Sequence, residues 1–338
     1  MPTMADVAKK AGVSVMTVSR IINDSGPVKD ATRKRVLRAM EELDYVPKGF
    51  TKHHIHQQIN TLVLVVPDIT NPFFTFVSRG MEDVARKHQY RVILANTDED
   101  LYKERESIQM CLDFHADGVL ICPVGDSSAE SLALLIQRQL PFVMVDREVL
   151  GVSADVVKGN VQDASISLVT HLIGLGHRHI GIVTGPQQNQ ASRDRLAGYD
   201  TALRNQGWDV DPAFIQESSM MRNANGNFID AFLSLPHPPT ALFVANVFQY
   251  AYARQRLAQL GLHMPQDISI VGFGNTDELA SGDSLLTAAI QPAYSYGSLG
   301  TQMLIERIEG MAQPPRKIIL EAHLIYRQST MPPKVIVR

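Results

Sequence analysis

Three histidines, His53, His54 and His56, fall within four positions of the stretch TKHHIHQQINT. Neighbouring imidazoles can share zinc or nickel, but no carboxylate or cysteine lies close by in sequence to complete a ligand set. A second group, His171, His177 and His179 in HLIGLGHRH, has an H-x5-H-x-H spacing across the Gly174/Gly176 helix stop. It too lacks a carboxylate in a suitable register, and a surface loop after a helix end is the plainer reading. Cys111 and Cys122 are the only cysteines, too few for a disulfide framework or a thiolate cluster. There is no G-x-G-x-x-G, no G-x-x-x-x-G-K-[ST] and no G-x-S-x-G. No cofactor, resident metal or catalytic residue is therefore expected, and the chemistry should be binding throughout.

The elements around these residues differ sharply along the chain. Residues 1–60 carry ten Lys/Arg against six Asp/Glu, a net of +4, while the remaining residues net −7. A small basic head on an acidic body suggests that the head meets a polyanion. MPTMADVAKK has no apolar signal core and no run approaches membrane-spanning length, so a cytoplasmic chain with no membrane partner is expected.

The segment TMADVAKKAGVSVMTVSRIIND reads as two short helices joined by a tight turn. Thr3 can cap the first helix, with Asp6 as the acidic partner of a capping box. Met4, Val7, Ala8 and Ala11 share an apolar face, Gly12 gives the turn its backbone freedom, and Val13 plugs the core. Ser14 caps the second helix, which turns Val18, Ile21 and Ile22 inward and leaves Val15, Met16, Thr17, Ser19 and Arg20 largely outward. A third helix, about Asp30–Leu43, buries Val36, Leu37, Met40 and Leu43. This is the pattern of a helix-turn-helix.

From Leu62 onward, short apolar strands alternate with amphipathic helical stretches. Ten strands are predicted, in TLVLVVP, RVILAN, GVLICP, FVMVD, VVKGN, IGIVTG, FIQE, ALFVAN, ISIVGF and LTAAI. Such alternation implies parallel sheets covered on both faces, split into two similar subdomains.

With these residues in view, ADVAKKAGVSVMTVSRIIND, including its AGVS-x-x-TVSR core, resembles the DNA-binding head of the lactose/galactose-repressor family. VVPDITNPFF, ADGVLICP, VDR, LGHRHIGIVTG and MPQDISIVGF extend the resemblance over about residues 3–330. The fold class it implies is an all-α helix-turn-helix head followed by an α/β two-lobed body like periplasmic binding proteins. The implied domains are a head at 1–47, a hinge at 48–60, the body at 61–330 and a tail at 331–338. The lobes should comprise about 61–160 with 292–317, and 161–290 with 318–330, crossing near Asn160, Gln291 and Lys317–Leu320. The end lacks a heptad pattern, so no tetramerising coiled coil is expected. The implied function is a homodimeric regulator, a repressor of carbohydrate or sugar-acid metabolism genes, that binds palindromic operator DNA under control of a small effector. The alternative is a sugar-binding protein that shares only the body. The intact head sequence and the missing export signal argue against that.

The resemblance also implies site residues. In the head they are Thr3, Ser14, Val15, Met16, Thr17, Ser19, Arg20, Asn23, Thr32 and Arg33. Val15 and Met16 would face base edges and could touch a thymine methyl but make no bidentate pair, which leaves Arg20 most of the hydrogen-bonded readout. In the body, Phe73 and Phe74 would form an apolar wall, Asp146 and Arg147 would end a strand, and Arg195 would grip the ligand. Asn246 and Gln291 would supply amides. Two departures stand out: Asn246–Val247 where the family commonly reads ND, and GFGN, Gly272–Asn275, where it commonly reads GFDD. With Arg147 and Arg195 kept and a carboxylate missing at Gly274, the expectation is an anionic carbohydrate, a sugar acid before a sugar phosphate or a neutral sugar. Asp277 could enter the space that Gly274 leaves.

The first histidine group falls where the family has a hinge helix whose leucine wedges into the minor groove. Counting from Tyr45-Val46-Pro47 places Lys52 at the family's arginine and His54 at the wedge, with Ile55 the nearest aliphatic residue. A metal site, a passive linker and a hinge with an atypical wedge are the three readings, and position, length and Lys52 favour the hinge.

Overall fold

A computed structural model of the chain describes residues 2–22, 26, 28–43, 45, 60–222, 227–274, 285–311 and 314–334. They divide into two units, Met1–Asn60 and Thr61–Arg338. In the first, helices α1 (Met4–Ala11), α2 (Val15–Ile22) and α3 (Asp30–Glu42) surround a small core. Thr3 and Asp6 form a reciprocal capping box at the start of α1. Gly12 stops the helix in the left-handed region, φ 65°, and its N–H returns to Ala8 and Lys9. The Thr17 amide then donates to Ser14 Oγ at 3.1 Å, starting α2 two residues later. Val7, Val18, Val36 and Met40 are essentially fully buried between the helices, each apolar side chain contributing about 1.5–3 kcal/mol.

The second unit alternates strand and helix. Its first lobe contains β1 (Thr61–Val66), α4 (Pro72–Lys87), β2 (Arg91–Asn96), α5 (Leu101–Asp113) and β3 (Gly118–Ile121), then α6 (Ala129–Gln137), β4 (Phe142–Val145) and β5 (Asp155–Gly159). The second contains α7 (Val161–Gly174), β6 (Ile180–Thr184), α8 (Gln190–Arg204), β7 (Ile215–Glu217) and α9 (Asn227–Leu233). It continues with β8 (Ala241–Val244), α10 (Val247–Gln259), β9 (Ser269–Phe273) and β10 (Thr287–Ile290). Helix α11 (Ala293–Ile308) and β11 (Lys317–Leu320) return to the first lobe, and β12 (His323–Ile325) ends in the second. The sheet orders are β11-β5-β4-β3-β1-β2 and β12-β10-β9-β8-β6-β7. Every pairing is parallel except β10 with β12.

Both faces of each sheet are covered, as continuous apolar strands require. Leu62, Leu64 and Val66 of β1 enter one core while Val63 and Val65 enter the other. Helices α4 and α11 cover the first sheet almost in backbone contact: a Cβ on Gly297 would lie 1.9 Å from the Val77 carbonyl oxygen.

The chain passes between lobes at Asn160, at Gln291 and after β11. Because β11 pairs with β5 through Leu320, the third passage falls at Glu321–Ala322. The boundary expected at 317 is therefore three residues too early. The two extra strands, β11 and β12, bring the described total to twelve. Around β11, the buried Asp155 carboxylate binds Arg307 at 2.8 Å and Arg316 at 3.1 Å. Burial alone would raise its pKa, but the two guanidiniums and the Arg316 amide outweigh that and hold it below the usual carboxylate range.

The last described residues lie against the second lobe as a strap. Ser329 Oγ accepts from the Thr287 amide, and the Met331 amide donates to Ser269 Oγ. His177 bridges Thr240 Oγ1 and the Met331 carbonyl at 2.8 and 2.9 Å. Among the described residues, no helix is long and apolar enough to cross a membrane.

Candidate functional site

The C-terminal ends of both sheets converge on one cleft between the lobes, where ligands sit in open parallel sheets. Pro67 and Asp68 follow β1, Glu99 follows β2, and Asp146 and Arg147 follow β4. From the second lobe come Met220 and Met221 after β7, Ala245, Asn246 and Val247 after β8, and Gly274 after β9. Phe73 and Phe74 enter from the first turn of α4, Arg195 from α8, and Gln291 from the second crossing. All seven body residues singled out from the sequence line this one cleft. Its cavity volume is about 60 Å³, below the usual range of small-molecule sites.

The charges do not balance as the sequence suggested. Arg147 is 4% exposed and forms a bidentate pair with Glu99, Nη1–Oε2 2.8 Å and Nη2–Oε1 2.7 Å. Its Nη1 also donates to the Pro123 and Val124 carbonyls. Burial alone would lower its pKa, yet Glu99 and the neighbouring anions raise it above the ordinary guanidinium value. The poorly neutralised Arg147 expected from the sequence is thus corrected by a carboxylate 48 residues away. Asp98 and Glu99 both have positive φ, 54° and 57°, a rare double left-handed turn from which Glu99 reaches Arg147. Asp68 lines the same wall, its Oδ1 accepting from the Thr70 amide and hydroxyl.

Asp146 also has positive φ, 68°. Burial raises its pKa, with Arg147 and Arg195 offsetting part of the effect. Arg195 lies 4.6 Å over the Phe273 ring. Burial lowers its pKa, Asp146 works against that, and its Nε has no hydrogen-bond partner among the described residues.

The two amides are less available than expected. Asn246 Oδ1 caps α10 by accepting from the Phe248 and Gln249 amides, and its Nδ2 holds the Met220 carbonyl at 2.8 Å. Gln291 Nε2 donates to Tyr296 Oη at 2.9 Å. Both position the cleft's walls as much as they line it. The departures at 247 and 274 prove to be one packing unit. Gly274 has φ 145°, and a Cβ there would lie 2.1 Å from Val247 Cγ1. Asn275 and Asp277 lie outside the described residues.

Beside the cleft, α8 and the turn before it fasten the lobes together. Arg193 Nη1 pairs with Asp126 Oδ2 at 2.8 Å, and the Asp126 amide donates to the Gln188 carbonyl. Gln190 and Glu148 exchange two hydrogen bonds, 2.9 and 3.2 Å. Lys158 lies 3.1 Å from Glu148 and 3.6 Å from Asp194. Gly125 is required here, because a Cβ would meet the Gln188 carbonyl oxygen at 2.7 Å.

In the first unit, α2 exposes Val15 and Met16, 47% and 64%, while Val18 behind them is fully buried. Arg20 is exposed on the same helix, its Nη2 3.8 Å from Met16 Sδ. Thr17 and Ser19 are half-buried, as are Thr32 and Arg33 at the start of α3. The hydroxyls of Thr3 and Ser14 are engaged as caps. Asn23, Lys52, His54 and Ile55, with the other hinge histidines, lie outside the described residues.

His177 corrects the surface-loop reading of the second histidine group: it is 1% exposed and pins the C-terminal strap. Among the described residues, no three His, Cys, Asp or Glu side chains converge as a metal site requires. Burial pushes the Cys111 thiol up to about 12 and raises Cys122 well above the ordinary thiol value, the opposite of an activated nucleophile.

Residues 3–48 match the family described as bacterial regulatory proteins, lacI family, and residues 169–330 match a periplasmic binding protein-like domain. The chain is 32% identical over 329 residues to the HTH-type transcriptional repressor CytR of Escherichia coli (strain K12), covering 97% of this chain and 96% of that one. It is 31% identical over 334 residues to the HTH-type transcriptional repressor PurR of Aliivibrio fischeri (strain MJ11), covering 98% and 99%. A solved complex of the transcriptional regulator CelR with cellobiose superposes with a TM-score of 0.71 at 27% identity, covering 97% of this chain and all of that one.

Proposed function

The chain belongs to the lacI family of bacterial regulatory proteins and is a DNA-binding transcriptional repressor rather than an enzyme; on that premise we propose that it represses carbohydrate-utilisation genes until a small polyhydroxylated effector enters the cleft between its lobes. The observation that carries the effector reading is the arrangement at the strand ends. Asp68, Glu99 and Asp146 from one lobe line the same cleft as Arg195 from the other. Carboxylates accept from sugar hydroxyls and a guanidinium donates to them, so such a ligand bridges the lobes. Its differential affinity for the closed form would shift the equilibrium that sets the spacing of two DNA-binding heads.

We favour an uncharged ligand. Three carboxylates against two arginines already leave the cleft no excess of positive charge, and Arg147 is occupied by Glu99. A sugar acid is the second reading, favoured by one feature, the unpartnered Nε of Arg195, to which a carboxylate would bind. Calorimetry with an aldose and its aldonic acid separates the two.

Two copies would present two α2 helices to a palindrome. The edge strand β2, with Ile93 and Leu94 more than 40% exposed, is the surface we assign to that pairing.

A gel shift on palindromic DNA, with and without sugars, tests the whole reading. Arg20→Ala should cost about 1–3 kcal/mol on the specific site with the fold intact. Arg33→Ala should weaken specific and random DNA alike and flatten the salt dependence. Equal loss on both DNAs for Arg20→Ala would restrict Arg20 to phosphate contact. No palindrome bound above random sequence would remove the operator reading.

A further inference from the structure

Glu104, on α5, is fully buried yet does not line the cleft. A carboxylate taken out of water is costly unless donors converge on it. Here two of them come from the turn that follows β3. Glu104 Oε2 accepts from the Val124 amide and from the Ser128 hydroxyl, both at 2.8 Å. Ser128 Oγ accepts in turn from the Gly125 amide at 3.3 Å. The same turn also meets the cleft and the opposite lobe. Arg147 Nη1 donates to the Pro123 and Val124 carbonyls at 3.1 and 3.2 Å. Val124 is therefore held by Glu104 through its amide and by Arg147 through its carbonyl. One residue on, Gly125 packs against the Gln188 carbonyl with no room for a Cβ. The Asp126 amide then donates to that carbonyl at 3.1 Å, and the Asp126 carboxylate pairs with Arg193.

We propose that Glu104 is a positioning residue, whose buried carboxylate sets where the 123–128 turn stands so that one turn serves both Arg147 and the contact between the lobes. What counts is the reach of the side chain rather than its charge. An acceptor drawn back by one methylene either pulls the turn towards α5 or loses the Val124 amide, and both outcomes move Asp126 away from Gln188. The bearing on repression rests on the closure reading given above. The test reads the ligand-free chain, so the two fail separately.

Hydrogen exchange resolved to single amides, on the full chain without DNA or ligand, tests this. Glu104→Asp keeps the charge and shortens the reach, whereas Glu104→Gln keeps the reach and removes the charge. The aspartate variant should speed exchange at the Asp126 amide about ten-fold or more, with the β6 amides unchanged. The glutamine variant should stay within about two-fold of the parent at the same amide. Arg193→Ala added to Glu104→Asp should bring little further gain, because both act on one contact. Ser128→Ala leaves Glu104 and the core intact, removes one donor, and should speed Asp126 exchange by a smaller factor than Glu104→Asp. Equal acceleration by aspartate and glutamine would make the charge decisive and overturn the inference. So would acceleration that extends equally to β6, the mark of a plain core residue. Parent-like exchange at Asp126 in both Glu104→Asp and Ser128→Ala would also overturn it, and none of these results touches the operator reading.

Discussion

Asp146 sits in a left-handed backbone conformation, φ 68°, which costs an ordinary residue about 1–2 kcal/mol, although aspartate tolerates it better than most. Its buried carboxyl has a raised pKa. A carboxyl whose folded pKa lies above its unfolded value makes ionisation harder in the native state. Stability from this group is greatest below the unfolded value near 3.8 and is lost as pH rises through the folded one. Asp146→Asn should therefore raise the melting temperature at pH 7, and by less near pH 4, while abolishing protection by whichever sugar stabilises the parent protein. Melting curves at both pH values, with and without sugar, check this. An unchanged melting temperature with normal protection would reduce Asp146 to an ordinary lining residue. At this scale the sequence was a partial guide. VDR at a strand end pointed to Asp146 and Arg147, because β4 is a plain apolar run with a clear terminus. Glu99 left no local trace: its pairing with Arg147 spans 48 residues and depends on the turn at Asp98. The asparagine of VAN lines the cleft and also caps α10, a second role that the sequence did not reveal, since a helix N-terminus takes up that side chain whenever geometry allows.

Among the elements, the C-terminal strap has its own pH response. His177 is buried between Thr240 and the Met331 carbonyl, with His171 near enough to disfavour a second positive charge. Burial, the larger cause, lowers its pKa against the opposing pull of the carbonyl. The fold therefore favours neutral imidazole. The stability it contributes is present above pH 6.5, the unfolded value, and declines as pH falls towards the folded one. Hydrogen exchange at residues 329–331, corrected for intrinsic rates, should accelerate between pH 7 and pH 5.5. His177→Asn should remove that dependence. Protection independent of pH in the parent chain would show that the strap is held without His177. The ten strands read from the sequence are mostly buried on both faces and stand out as apolar runs. The two it missed, β11 and β12, are edge strands of four and three residues that alternate exposed and half-buried. Tertiary pairing defines them, through β5 and β10 respectively. That is also why the lobe boundary at 317 falls three residues before the end of β11.

For the body as a whole, α8 links binding and closure, because it carries Arg195 into the cleft and Gln190, Arg193 and Asp194 to the opposite lobe. Arg193→Ala removes one half-exposed pair, worth about 0.5–1 kcal/mol. It should weaken effector binding about two- to five-fold and enlarge the ligand-free radius of gyration measured by X-ray scattering. Unaltered scattering and affinity would show that the lobes close without this contact. The two-lobed plan was legible from the alternation of strands and helices together with the family phrases. The contacts fastening the lobes were not, since they join Asp126, Glu148 and Lys158 to residues chosen only by how the lobes meet.

The same fastening carries a physiological consequence. Ion pairs at a solvent-accessible rim weaken as the Debye length shortens, from about 10 Å at 0.1 M salt to about 3 Å at 1 M. Even an uncharged effector would then be held less firmly as intracellular salt rises. On the proposed reading, in which the effector lifts repression, a bacterium accumulating potassium under osmotic shock would need more of the same signal, so the threshold of this switch would track the water balance of the cell as well as its food supply.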